Sequence, residues 1–347
     1  MFSPHIQLTL LMALLFMSPS LAAGDVQRIA VISDINGRYA STDYHPRVAV
    51  TIQRIIELRP DLVISTGDMV AGQRPSPKLQ RAELTTMWES FHKHVRVPLE
   101  QAGIPLMMTP GNHDASAYPG FELEREAYAI YHDTYPPSFT PGDGGNFPYN
   151  FATELNGVLL VSLDATKTGT LDTTQIKWLE EKLCHRKPYR AKILFGHLPL
   201  QPIAIGRQRD IISDPALEAL MVAGGASAYL SGHHHAYYPG VRIGIDMLSM
   251  GNLGGNQRRL VGTTMTTGFT FALLEIDSKG TVQISAFSGP DFVKSVDIES
   301  LPRHLGEGSA RITRKNVAAA GTNALPGTAC PPAASDDGAS TSTEHPG

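Results

Sequence analysis

Five short blocks of this sequence end an apolar run in residues that can hold a metal ion or move a proton. They read Asp34-Ile-Asn36, Gly67-Asp68, Gly111-Asn112-His113-Asp114, Gly196-His197 and Gly232-His233-His234-His235. Carboxylates and an amide offer hard oxygen and imidazoles offer neutral nitrogen, a mixture that suits Mn²⁺, Fe or Zn²⁺ better than Ca²⁺ alone. Asp34 and Asn36 flank a single residue, so an extended chain end sends both side chains the same way. Asp68 has two oxygens and Gly67 leaves room beside it, which makes Asp68 the natural carboxylate to share between two ions held about 3.5–4 Å apart.

Such residues need a scaffold that delivers them to one place. From Arg28 the chain alternates short apolar strands with stretches of helical periodicity, the pattern of an α/β domain. Strands are predicted at 29–33, 61–66, 105–109, 191–197 and 227–235, and helices at 48–58, 79–103, 173–186 and 214–223. A hairpin over 149–165 turns at Asn156-Gly157, a loop precedes it, and further strands are predicted at 268–277, 281–287 and 291–298. Each of the five blocks falls at the carboxyl end of a predicted strand, the edge where open α/β sheets bind ligands. His234, between two candidate ligands on one predicted strand, should point the other way, into packing or behind the ligands.

In this order the blocks resemble the calcineurin-like metallophosphoesterases, whose pattern is D-x-H, G-D, G-N-H-[DE], H and G-H-x-H; the resemblance covers about 28–260. It implies a four-layer α/β/β/α sandwich with two mixed β-sheets, a single catalytic domain over 25–300, and a two-metal centre at the strand ends. Asp34, Asn36, Asp68 and His235 would hold one divalent ion, and Asp68, Asn112, His197 and His233 the other. His113 would stand over the site to stabilise the phosphoryl transition state or protonate the leaving oxygen, and Asp114 would accept a ring N–H and orient it. The implied reaction is in-line attack by a metal-bridging hydroxide on a phosphomonoester or phosphodiester, with no covalent protein intermediate.

One block departs from the pattern: Asn36 stands where the family usually has His, which should loosen that ion and favour harder metals. The purple acid phosphatases, which are similar, use a Tyr three residues after the shared Asp; here the position is Ala71, which argues against an iron–tyrosinate centre. Asn36 also motivates the alternative of a degenerate, one-metal, non-catalytic ligand-binding protein of the same fold, against which His113 and Asp114 count. Residues that can reach a small phosphoester substrate are Arg38, Tyr39, Arg74 and Tyr118, with the 142–150 and 252–259 segments as possible rims.

The formal net charge of −4, with no dense Lys/Arg run, argues against a stable nucleic-acid complex through a basic face. Residues 1–23 read as a signal peptide, with an apolar stretch from Leu8 to Met17 that is shorter than the ~20 residues needed to cross a bilayer, followed by Ser20-Leu21-Ala22. Export to a periplasm or the medium, with no membrane contact after cleavage, is therefore expected. Beyond Pro302 the composition turns to Ala, Gly, Pro, Ser and Thr, so 303–347 reads as a disordered tail. Cys184 and Cys330 form no CxxC zinc pattern; an exported protein could pair them, but with Cys330 in the tail both are expected to be structurally minor.

Overall fold

A computed structural model describes residues 26–142, 144–185, 187–318 and 330. The stretch read as a signal peptide lies outside the described residues, as do 319–329 and 331–347.

The amino-terminal half contains β1 (Gln27–Ile32), α1 (Pro46–Leu58), β2 (Leu62–Ser65), α2 (Arg81–Phe91), α3 (Val97–Gln101), β3 (Leu106–Met108), α4 (Asn112–Ala115) and α5 (Glu122–Thr134). There follow β4 (Phe151–Leu155), β5 (Val158–Ser162), α6 (Thr173–Cys184), β6 (Ala191–Phe195), α7 (Pro215–Ala223), β7 (Ala228–Ser231), β8 (Tyr238–Arg242) and β9 (Ile245–Ser249). The chain continues through β10 (Thr270–Ile276), β11 (Val282–Ser288), β12 (Lys294–Ser295), β13 (His304–Leu305) and β14 (Ile312–Arg314). A π turn at His92–Arg96 joins α2 to α3, one turn before Pro98, whose ring would crowd the carbonyl four residues back in a regular helix.

The strands form two mixed sheets, ordered β12-β11-β10-β1-β2-β3 and β13-β14-β8-β9-β7-β6-β5-β4. Alternation along β1 shows how the layers arise. Ile29 and Val31 face the second sheet, packing in one core with Ile64, Leu160, Ile193 and Leu230, while Ala30 and Ile32 face α1 and α2 through Ile52, Ile55, Trp88 and Phe91. The outer face of the second sheet packs Val161, Leu194 and Tyr229 against Trp178 and Leu179 of α6 and Leu217 and Met221 of α7. The result is the expected four-layer sandwich of helices, sheet, sheet and helices. Strands buried on both faces must be apolar nearly throughout, which is how they read in the sequence.

Strands β1, β2 and β3 run parallel in one sheet, and β5, β6, β7 and β9 run parallel in the other. The turns after β1, β2, β3, β6 and β7 carry Asp34, Asp68, Asn112, His197 and His233, and the stacking of the two sheets brings these carboxyl ends together.

Several sequence expectations need correction. Residues 110–148 hold α4 and α5, whose buried Ala127, Tyr128, Tyr131 and His132 keep helical spacing while exposed Leu123 and Ile130 blur the pattern. Strand β7 ends at Ser231, so the three histidines stand in the loop beyond it. The strand expected at 291–298 is reduced to Lys294–Ser295. The ordered fold also runs past Pro302: β14 pairs with β8, and buried Arg314 donates to the carbonyls of Glu299 and Leu301. The tail therefore does not begin at 303.

The cysteines are not minor either, because Cys184 at the end of α6 is bonded to Cys330, closing a sequence separation of 146. Reduction frees that loop in the unfolded chain, so it should lower the unfolding free energy by about 2–4 kcal/mol. Denaturant titrations with and without dithiothreitol, read by circular dichroism, check this; coincident curves would show that the cross-link contributes nothing.

Candidate metal centre

The turns that carry the candidate ligands share a backbone device. Asp34, Asp68, His233 and His235 all have left-handed φ, at 51°, 58°, 62° and 50°. Each costs roughly 1–2 kcal/mol for a non-glycine residue, so the surroundings must hold it. Asp34 is held by its N–H to Gly67 O at 3.0 Å and by its carbonyl, which accepts from Leu253 and Gly254 at 3.1 and 2.8 Å. Asp68 O accepts from Ile35 and Asn36. Glycine is required where these turns touch: a Cβ on Gly232 would lie 2.0 Å from Ser33 Oγ, and one on Gly67 (φ 102°) 2.7 Å from His197 Nδ1 and from Gly111.

His197 is the focus of one half of the centre. Its Nδ1–H donates to Thr66 O at 2.9 Å, which leaves Nε2 with a lone pair in the neutral ring. That lone pair faces Asn112 Oδ1 at 2.9 Å, Asp68 Oδ2 at 3.3 Å and His233 Nδ1 at 3.2 Å. Asn112 Nδ2–H is taken by Gln73 Oε1 at 2.6 Å, which assigns its oxygen to the centre. Carboxylate, amide and imidazole lone pairs converging on one point need a cation between them. Burial lowers the His197 pKa, but the Asp68 and Asp34 carboxylates more than reverse it, to about 9, so without an ion the cluster recruits a proton. Asp68, His197 and His233 each offer a ligand atom, and these atoms lie within 4.8 Å of one another.

The other half is built on Asp34. His235 Nδ1–H donates to Asn256 O at 2.9 Å and turns Nε2 to within 3.1 Å of Asp34 Oδ1. Asp34 also accepts from the His233 amide and from Ser33 Oγ–H. Burial raises its pKa, yet the charge and hydrogen bond of His235 and the charge of His197 leave it below the ordinary carboxylate value. Asn36 is buried beside these residues, with Nδ2–H donating to Val70 O at 3.1 Å, so Oδ1 is the amide atom left for an ion. Asp68 Oδ1 accepts the His113 amide at 2.9 Å while Oδ2 faces His197, and the Asp68 charge acts on Asp34. The donor set of Asp68, His197 and His233 thus fits a divalent ion, with the oxygen and nitrogen donors of Asp34 and His235 paired nearby.

His113 and Asp114 are arranged differently from the sequence expectation. The ring of His113 is oriented by a backbone carbonyl, Gly72 O, at 2.7 Å from Nδ1, and its Nε2 lies 3.9 Å from Asp68 Oδ2. Asp114 does not orient that ring. Its buried carboxylate caps four amides instead, accepting from Asp68 and Gly111 at Oδ2 and from Met69 and Val70 at Oδ1, all within 2.9 Å. Burial and the charge of Asp68 push its pKa up to about 7, against the pull of those amides.

The calcineurin-like phosphoesterase family model matches residues 27–237, which include every block of the centre. The chain belongs to that family. The mouse serine/threonine-protein phosphatase CPPED1 is 26% identical over 209 residues, 56% of this chain and 60% of the mouse protein. The human protein of that name is 25% identical over 210 residues, with the same shares covered. The chain therefore spans about 60% of the length of these curated relatives. In fold it is similar to the purple acid phosphatase PPD1 of yellow lupin, with TM-score 0.57 at 18% identity over 76% of this chain and 51% of the lupin chain. It is also similar to GAP50, the anchor in the inner membrane complex of Plasmodium, with TM-score 0.51 at 12% identity over 78% of this chain and 88% of that one.

Around the family centre, the candidate substrate residues separate. A cleft of about 170 Å³ opens beside Asn112 and His233 and is lined by Gln73, Tyr118, Thr168 and Arg207 among others. Tyr118 Oη hydrogen-bonds Thr168 Oγ1 at 2.7 Å. Exposed Tyr39 rests against His113, with ring centroids 5.4 Å apart, and Arg38 is exposed beside it. Arg74 is spent elsewhere, on Glu83 and Pro77 O, and glycines of the 142–150 segment pack on Trp178 rather than at the centre. The 252–259 segment does rim the site: besides Asn256 O, Arg258 Nη1 donates to His233 O at 2.9 Å. Sequence reasoning missed Gln73 and Asp210, which carry no motif of their own, and reached Arg258 only as part of the 252–259 rim.

Proposed function

We propose that the chain is a metal-dependent hydrolase of phosphomonoesters or phosphodiesters, exported and working with two divalent ions of the Mn, Fe or Zn type. The observation that carries the reading is the convergence of Asp68, Asn112 and His233 on His197 Nε2, with His113 Nε2 beside the shared Asp68. Ions bound there would neutralise charge on the phosphoryl oxygens and lower the pKa of an attacking water toward ~7. Asp68 would serve both ions, with Asp34, Asn36 and His235 completing one and Asn112, His197 and His233 the other. Gly72 O accepts from His113 Nδ1–H, which would leave Nε2 as the ring atom turned toward the leaving oxygen for proton transfer. The curated relatives named as protein phosphatases agree with this reaction class.

Purified protein given Mn²⁺ should hydrolyse p-nitrophenyl phosphate or its bis ester, and His113→Ala should lower turnover about 10²–10⁴-fold with metal content unchanged. No turnover on a broad phosphoester panel with Mn²⁺, Fe, Zn²⁺, Mg²⁺ or Ca²⁺ would sink the reading. A second reading, a one-ion ligand-binding protein, draws on Asn36; a single ion per chain with no turnover would favour it.

Metal uptake should depend on pH with a definite sign. The ion needs His197 neutral, and below its pKa of about 9 the metal-free ring holds a proton that the ion must displace. Raising pH removes the competitor, so apparent affinity should climb roughly tenfold per pH unit between about 7 and 9 and then level off. Isothermal titration in buffers of different ionisation heat should find about one proton released per chain at neutral pH; no pH dependence and no released proton would contradict the assignment.

Export draws support from the amino-terminal segment and from the Cys184–Cys330 bond, since disulfides persist in oxidising compartments. Recovery of a mature chain beginning near Gly24 outside the cytoplasm is the expected result of cell fractionation and amino-terminal sequencing.

A further inference from the structure

Each candidate histidine ligand needs an acceptor behind it to fix which nitrogen faces the ion. For His197 that acceptor is Thr66 O and for His235 it is Asn256 O, both backbone carbonyls. His233 differs. Its Nδ1 faces the centre, and behind it Nε2 faces the carboxylate of Asp210, with Oδ2 at 3.7 Å. The same oxygen is held by Arg207 Nη1 at 2.7 Å.

Asp210 arrives from a loop that the histidine cluster itself fastens. His234, wholly buried, turns its ring away from the centre. Its Nδ1 accepts from the amides of Ile203 and Ala204 at 3.1 and 3.3 Å, and its Nε2–H donates to Asp210 O at 3.0 Å. An acceptor at Nδ1 with a donor at Nε2 is one neutral tautomer, and it joins the two limbs of the 203–210 loop. The middle histidine thus pins the loop whose carboxylate returns to the first.

We propose that Asp210 is a positioning residue of the metal centre, holding His233 with Nδ1 toward the ion, and that His234 is the pin that keeps Asp210 in place. The proposal rests on the two-ion reading above. A carboxylate behind a ligand imidazole fixes its tautomer and raises its basicity, an effect that typically shows as 10–100-fold in metal affinity when removed. The ion affected is the one assigned to Asp68, Asn112, His197 and His233; the one assigned to Asp34 and His235 has its own support in Asn256 O.

The test is calorimetric titration of the chelator-stripped full chain with Mn²⁺, without substrate. The parent should bind two ions, and Asp210→Asn should bind one about 10–100-fold more weakly and the other unchanged. Asn keeps the size of Asp and the backbone carbonyl that His234 uses, so the stripped variant should melt with the parent, separating lost positioning from lost folding. His234→Ala should reproduce the loss, and His234→Gln, whose amide also offers an acceptor and a donor, should restore most of it. Two parental affinities in Asp210→Asn overturn the proposal for Asp210, and two in His234→Ala overturn the part given to His234. A parent that binds no Mn²⁺ overturns the two-ion reading itself, which keeps the two failures distinct.

Discussion

Asp68→Asn should abolish turnover, by about 10³-fold or more, which at ~1.4 kcal/mol per decade is a loss of roughly 4 kcal/mol of transition-state stabilisation. The substitution is nearly isosteric, and its amide oxygen can go on accepting the His113 N–H that Asp68 Oδ1 takes at 2.9 Å. The other end of the group then becomes an NH₂ where Oδ2 stood, 3.3 Å from His197 Nε2. An amide hydrogen there fills the place of the cation and donates to the lone pair that should coordinate it. The variant therefore keeps its fold while losing the charge that the two proposed ions would share. Inductively coupled plasma mass spectrometry should show metal content falling, with circular dichroism unchanged. Full metal occupancy together with parental turnover would remove Asp68 from the bridging role proposed for it.

Asp114→Ala should unfold the protein more readily rather than merely slow it. Four buried amides, those of Asp68, Met69, Val70 and Gly111, donate to this one carboxylate. A buried donor left without a partner costs about 1–3 kcal/mol, so losing four acceptor contacts should destabilise the fold by roughly 4 kcal/mol or more. In a chain of this size that is a fall in melting temperature of about 6 °C or more. Asp114→Asn should fall between, because an amide can accept with one end only and turns donors toward donors at the other. An orienting role for Asp114 on the His113 ring predicts the opposite pattern, a loss of turnover at unchanged stability. Thermal melts of the chelator-stripped variants alongside single-turnover rates separate the two, and a melting temperature within 2 °C of the parent would refute the capping role.

The contrast between these two aspartates shows where sequence reading reaches its limit. Both stand in short polar blocks after a strand, and both read as site residues. Asp68 faces the imidazoles, as its motif implied; Asp114 faces away from His113 and ties the turn after β2 to the turn after β3. A one-residue step along a tight turn changes which group a carboxylate meets. That direction is set by the partner segment and not by local residue types.

Local chemistry made other features legible early. Apolar runs buried on both faces announced the parallel strands, and Asn156-Gly157 marked the hairpin between β4 and β5. Where local signals conflicted, the reading failed. Pro239 and Gly240 hid β8, although a glycine is needed there because a Cβ would meet Ile312 Cγ2 of β14 at 2.2 Å. The polar composition after Pro302 hid two strands whose order comes from pairing with β8 and from the Arg314 hydrogen bonds. The Cys184–Cys330 bond joins residues 146 apart, a distance over which periodicity carries no signal.

By itself the sequence determined the α/β class and the family pattern, and through that family the sandwich fold and the turns that carry the candidate ligands, because the pattern depends on which residue types follow an apolar strand. Only the tertiary structure decided how those residues face one another. The left-handed turns at Asp34, Asp68, His233 and His235 are held by contacts between the two sheets and the 252–259 segment. Tertiary contacts also decide the acceptors behind His197 and His235, and His234 places Asp210 behind His233. Such directions are products of hydrogen bonds between segments far apart in the chain, and no local pattern encodes them.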